Sequence, residues 1–222
     1  MKHSETAAEM KLRSQRARRI VKQLEILFPR AGMQLTYKNN WELLVAVELS
    51  AQCTDKKVNE VTPALFLAYP TLSDYVHADP KEFEQYIFST GFYRNKTKNI
   101  LAAARMVNEM FHGTLPRTMD EMLMIPGVAR KTANVVLGNA YGIVLGIAVD
   151  THVKRLANLF GLSDETDPNK IEKDLCEILP KRKWFHITYL LIEYGRTYCP
   201  ARHKHVDCPL RRYMMQPNLT TI

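Results

Sequence analysis

Residues 119–141 read MDEMLMIPGVARKTANVVLGNAY, a short helix, the turn Ile125-Pro126-Gly127-Val128, and a second helix from about Ala129. Pro126 stops the first helix, and Gly127 permits a positive φ that brings backbone close to a ligand. Amides opening the second helix lack intrahelical partners and sit at the positive end of its dipole, which suits a phosphate. Taken alone, the turn is better explained as an ordinary helical hairpin.

Outward from this segment, almost every apolar stretch repeats at helical spacing, and no run alternates strictly between turn residues. The fold class expected is all-α, with roughly ten helices. Ile20, Leu24 and Leu27 form one stripe. Trp41, Leu44, Val45 and Leu49 form the next, opened by Asn40 as a cap. Asp79-Pro80 and Asp167-Pro168 each supply a cap followed by a first-turn proline, and Thr118 with Glu121 reads as a capping box. No Gly/Ser/Pro linker, low-complexity run or repeat separates two halves.

The net charge of +8 is unevenly placed. Residues 1–30 carry eight Lys/Arg against three Glu, and residues 181–212 carry eight against two acids, so the two ends hold more than the whole net charge. A basic excess confined to some surfaces fits nucleic acid or an anionic membrane, with a solvated basic face as the plainer reading. No apolar run approaches the length of a membrane helix, and the charged start lacks the apolar core of a signal peptide, so the expected location is the cytoplasm. Cys53, Cys176, Cys199 and Cys208 are too unevenly spaced for a disulfide framework in that reducing compartment.

Ile125-Pro126-Gly127-Val128-Ala129-Arg130-Lys131-Thr132-Ala133 resembles the hairpin of the helix-hairpin-helix glycosylases, Leu-Pro-Gly-Val-Gly-x-Lys-Thr-Ala. With Val149-Asp150-Thr151-His152 downstream, the chain is similar to the endonuclease III family over about residues 19–208. That resemblance implies a DNA glycosylase and abasic-site lyase of base excision repair, with Lys131 as nucleophile and Asp150 as its carboxylate partner. The chemistry suits the pair. Breaking an N-glycosidic bond builds positive charge at the anomeric carbon, which a carboxylate stabilises, while an amine attacks that carbon to form a Schiff base. The iminium then acidifies the adjacent carbon and permits β-elimination. An unperturbed lysine is neutral in only about one part in a thousand at pH 7.4, so such chemistry needs surroundings that favour the free amine. The plainer readings are a surface lysine for Lys131 and a helix cap for Asp150, and capping is compatible with catalysis.

Leu49-Ser50-Ala51-Gln52-Cys53-Thr54-Asp55 and Ser89-Thr90-Gly91-Phe92-Tyr93-Arg94-Asn95-Lys96 resemble two further family loops. The likeness implies that Gln52 fills the gap left by an extruded nucleotide and that Phe92 wedges into the opposite strand. An enzyme acting on a stacked nucleotide must flip it out and stabilise the gap. Without the family, Gln52 reads as a polar helix cap and Phe92 as a core aromatic. The DNA-contacting set implied is Ser50, Gln52, Phe92, Pro126, Gly127, Val128, Ala129, Arg130 and His152. Ala129 replaces the family's second hairpin glycine, which is expected to alter phosphate binding slightly. The resemblance further implies a six-helix domain over 35–145, including the hairpin at about 118–141, and a second helical domain from 1–34 and 146–222, with the catalytic cleft between them.

Many relatives hold an iron-sulfur cluster by Cys-x6-Cys-x2-Cys-x5-Cys. Cys199 and Cys208 align with the first and third of these, His205 falls near the second position, and Met214 falls at the fourth. The cluster is therefore expected to be absent, with Leu210, Tyr213, Met214 and Met215 packing as apolar filler. Zinc at Cys199, His203, His205 and Cys208 is the alternative, although the spacing is not that of a standard zinc site. The expected partner is duplex DNA carrying oxidised pyrimidines or abasic sites, met by a monomer without a membrane role. Two rival functions stay open: a monofunctional glycosylase of the same family, and a non-catalytic damaged-DNA-binding protein.

Overall fold

Helical spacing of apolar residues, capped by short polar side chains, accounts for the architecture of a computed structural model that describes residues 6–201 and 207–215. The described residues form eleven α-helices and three 3-10 turns, with no strand. The chain divides into two compact units, residues 33–145 and residues 1–32 with 146–222. The first begins at Met33 because Asn59 ties the entering segment to its second helix. The Asn59 amide donates to the Gln34 carbonyl at 2.8 Å and accepts from the Thr36 N–H at 2.9 Å.

In chain order the helices are α1 (Ala7–Leu27), α2 (Asn40–Leu49), α3 (Asp55–Ala68), α4 (Leu72–His77), α5 (Pro80–Ile87) and α6 (Tyr93–Met110). They continue with α7 (Met119–Met124), α8 (Arg130–Tyr141), α9 (Thr151–Leu159), α10 (Pro168–Ile178) and α11 (Trp184–Thr197). Asp79 and Asp167 cap α5 and α10 ahead of their first-turn prolines, as the Asp-Pro pairs lead one to expect. Two local readings change. The cap of α2 is Asn39, whose side chain accepts from the Glu42 N–H at 2.9 Å, because Asn40 already has its place in the first turn. At α7, Thr118 caps the Glu121 N–H, but the Glu121 carboxylate takes the Thr118 hydroxyl at 2.6 Å, so only half of a capping box forms.

Unit 33–145 is organised around α2, which packs on α3, α6 and α8. Every residue from Glu42 to Leu49 is buried. A helix buried on all sides is a core helix, so α2 buries far more than the single stripe its spacing suggests. Trp41 of α2 joins Tyr69, Tyr75 and Phe83 in a cluster of tilted and edge-on rings with centroids 5.3–5.7 Å apart. The other unit surrounds Ile20, Leu24, Val153, Leu156, Phe160, Ile171, Leu175, Ile187, Leu191 and Tyr194, drawn from α1, α9, α10 and α11. Each such side chain contributes about 1.5–3 kcal/mol through burial. Among the described residues no helix is long and apolar enough to cross a membrane.

Candidate nucleic-acid interface and lysine site

The hairpin joining α7 to α8 is built as its glycine demands. Gly127 has φ +86, which L side chains rarely adopt, and a Cβ there would lie 2.8 Å from Glu48 Oε2 and 3.0 Å from Asn99 Cβ. Val128 is buried and its N–H closes the turn onto the Ile125 carbonyl at 3.1 Å, while Pro126 is half-buried. Ala129 is exposed and is the N-cap of α8, with φ −91 and ψ 169. It is therefore extended and not yet helical, and its Cβ meets no backbone strain, so the turn does not require glycine there. Ala129 has no side-chain oxygen, and α8 opens without a side-chain cap hydrogen bond. Arg130 and Lys131 are half-buried in that first turn.

Asp150 stands in the other unit, as N-cap of α9, and accepts from the Val153 N–H at 2.8 Å. His152 is half-buried two residues on. Its ring lies so close to α11 that a Cβ at Gly195 would sit 2.6 Å from Nδ1, so its orientation is set within that unit.

Two exposed loops flank α2 and α6. Ser50 is half-buried and its hydroxyl returns to the Val47 carbonyl at 2.8 Å, ending α2. Gln52 follows, exposed, with φ +55. Phe92 is 71% exposed with φ +49, at the N-cap of α6. Each non-glycine residue in this left-handed region costs roughly 1–2 kcal/mol, and such strain persists where surrounding contacts impose it. An aromatic side chain held in solvent by a strained backbone is not a core aromatic. Phe88, 64% exposed and 4.9 Å from the Tyr93 ring, enlarges the apolar surface beside Phe92. Sequence reading does not single it out.

Glu48 was also missed, lying within an apolar run. It is 6% exposed, its Oε1 has no hydrogen-bond partner, and burial pushes its pKa up to about 8. The carboxyl is neutral in the folded chain at neutral pH and ionised in the unfolded chain. The folded state thus binds the extra proton between the two pKa values, and stability falls as pH rises from about 4.5 towards 8. Between pH 5 and pH 9 the protein is expected to lose about 3–5 kcal/mol that Glu48→Gln does not lose. Urea unfolding across that range checks this, and parallel profiles for the two proteins would sink it.

The tail after α11 tests the residues present against an iron-sulfur cluster. Cys199 and Cys208 are both buried. Cys208 Sγ donates to the Tyr198 carbonyl at 3.2 Å, and burial with the adjacent Cys199 pushes its thiol pKa up. Arg155 donates to the Cys199 carbonyl and lies 3.6 Å from its sulfur. Leu210 is buried, Tyr213 and Met214 pack on the core, and the Met215 N–H donates to the Leu159 carbonyl at 2.8 Å. The raised Cys208 pKa opposes the thiolate a cluster needs, and two thiols with a thioether do not fit the four-thiolate set. Among the described residues no group of three or more His, Cys, Asp or Glu is placed to hold a metal ion. His203 and His205, the histidines of the zinc alternative, lie outside the described residues.

Residues 45–181 match the model of the HhH-GPD superfamily base excision DNA repair proteins. The chain is 50% identical to the endonuclease III of Synechocystis sp. over 194 residues, 87% of this chain and 89% of that one. It is 44% identical to the endonuclease III of Bacillus subtilis over 83% of this chain and 84% of that one. A non-covalent endonuclease III–DNA complex matches with TM-score 0.86 and 41% identity, covering 90% of this chain and 94% of that one. A trapped endonuclease III–DNA covalent intermediate matches equally, over 90% and 95% of the two chains. The chain belongs to the HhH-GPD superfamily of base excision DNA repair proteins and, within it, to the endonuclease III family.

Proposed function

We propose that this protein is a bifunctional DNA glycosylase and abasic-site lyase that removes oxidised pyrimidines from duplex DNA. The observation that carries the reading is the hairpin itself: a left-handed Gly127, an N-cap without a side-chain oxygen, and Lys131 in the first turn of α8. The first-turn amides address a phosphate, which brings the adjacent sugar to the lysine. The Lys131 amine attacks C1′, the N-glycosidic bond breaks with its electron pair leaving on the base, and the amine gives up a proton. The sugar ring opens to an iminium. Loss of a C2′ proton then breaks the C3′–O bond and releases the 3′ phosphate. Asp150 supplies the negative charge that offsets the developing oxocarbenium ion. Ser50, Gln52, Phe92, Pro126, Gly127, Val128, Ala129, Arg130 and His152 form the DNA-contacting set, and the 35–145 and 1–34/146–222 segments act as its two domains.

The protein is expected to work as a cytoplasmic monomer and without an iron-sulfur cluster. Iron and sulfide analysis should find well under one iron per chain, whereas about four would restore the cluster. The functional test is borohydride reduction in the presence of a duplex carrying an abasic site or thymine glycol. A covalent adduct supports the lysine mechanism. Binding without an adduct moves the protein to the monofunctional or non-catalytic reading.

A further inference from the structure

Lys96 is a buried cation that the mechanism above does not use. It is 6% exposed on α6, and its ammonium donates to two backbone carbonyls, that of Leu49 at 2.8 Å and that of Thr90 at 2.9 Å. Leu49 is the last residue of α2, three positions before Gln52, and Thr90 closes the 3-10 turn two positions before Phe92. The Lys96 N–H also donates to the Phe92 carbonyl at 3.0 Å. One residue therefore bonds the roots of both exposed loops, each of which carries a non-glycine residue in left-handed backbone. Burial pushes the Lys96 pKa down, while the nearby Cys53 opposes that fall.

We propose that Lys96 is a positioning residue that locks the Gln52 and Phe92 loops to each other, so that gap filling and strand wedging occur in one fixed geometry. The two carbonyls otherwise terminate separate elements, α2 and the 3-10 turn at Phe88–Thr90. A cation between them binds both more strongly than a neutral donor and holds their spacing. Left-handed φ at both tips would relax towards ordinary backbone if their roots were free to move. The inference rests on Gln52 as plug and Phe92 as wedge, and it adds the device that registers one against the other.

The test compares excision of thymine glycol from a duplex with cleavage of a single-stranded abasic oligonucleotide, which needs no strand opening. Lys96→Met keeps the length of the side chain and removes both bonds. Its single-turnover excision from duplex is expected to fall about 100-fold, the scale of an ångström of misplacement, with single-strand cleavage within about threefold of wild type. Lys96→Arg, which keeps the charge and donors, should recover most of the loss. In a Gln52→Ala/Phe92→Ala background, Lys96→Met should add less than about threefold, since it acts through residues already gone. Additive losses in that background, or equal losses of both activities or of folding in the Met and Arg variants, would make Lys96 merely structural and overturn the proposal. If Gln52→Ala/Phe92→Ala is itself silent, the plug-and-wedge reading fails and takes this inference with it. If that variant is impaired and Lys96→Met is not, only this inference falls.

Discussion

Lys131→Gln is expected to yield no borohydride-trapped adduct and to lower both base excision and strand cleavage by about 10⁴-fold or more, the scale for loss of a covalent nucleophile. Glutamine keeps much of the length and polarity of the side chain, so binding to an abasic duplex should change little. The first turn of α8 makes a further prediction in the opposite direction. A cation at the positive end of a helix dipole is unfavourable by about 0.3–1 kcal/mol, so removing it should leave the protein equally stable or slightly more so. A variant that is folded, stabilised and inactive separates chemistry from architecture. Retained adduct formation would mean that another amine is the nucleophile.

Asp150→Asn and Asp150→Ala divide the two duties of that side chain. Its carboxylate caps α9 through the Val153 N–H, and asparagine caps a helix as well as aspartate does. Asn should therefore leave stability within a few tenths of a kcal/mol while removing the charge that stabilises an oxocarbenium ion. Excision is expected to fall about 10²–10³-fold. Alanine loses the cap as well and should cost about a further 1 kcal/mol in unfolding measurements. Equal activity for Asn and wild type would reduce Asp150 to a cap alone.

The difference between these two residues and the ones missed earlier is a matter of range. Caps, helix periods and the hairpin are encoded within three or four neighbouring residues. Asp79-Pro80, Asp167-Pro168 and Ile125–Ala129 therefore announce themselves in the sequence. The same locality makes Asn40 and Asn39 equivalent as caps of α2: two adjacent asparagines offer the same oxygen, and only the path of the entering chain selects Asn39. Resemblance marked Lys131, Asp150, Gln52 and Phe92, but local pattern alone left each with an ordinary alternative.

Residue type and local spacing thus determined an all-helical chain, the turn that exposes helix amides, and a lysine placed directly after it. Tertiary structure decided what surrounds them. Lys96 reaches a carbonyl 47 residues away, and no sequence window links the two. Glu48 reads as a stray charge in an apolar helix until folding brings it under Gly127, where burial, not its neighbours in sequence, keeps its proton on. In the tail, spacing alone marks Cys199 and Cys208 without saying what surrounds them. Folding shows that Cys199, Cys208 and Leu210 are buried in one core, with Tyr213 and Met214 packed on it.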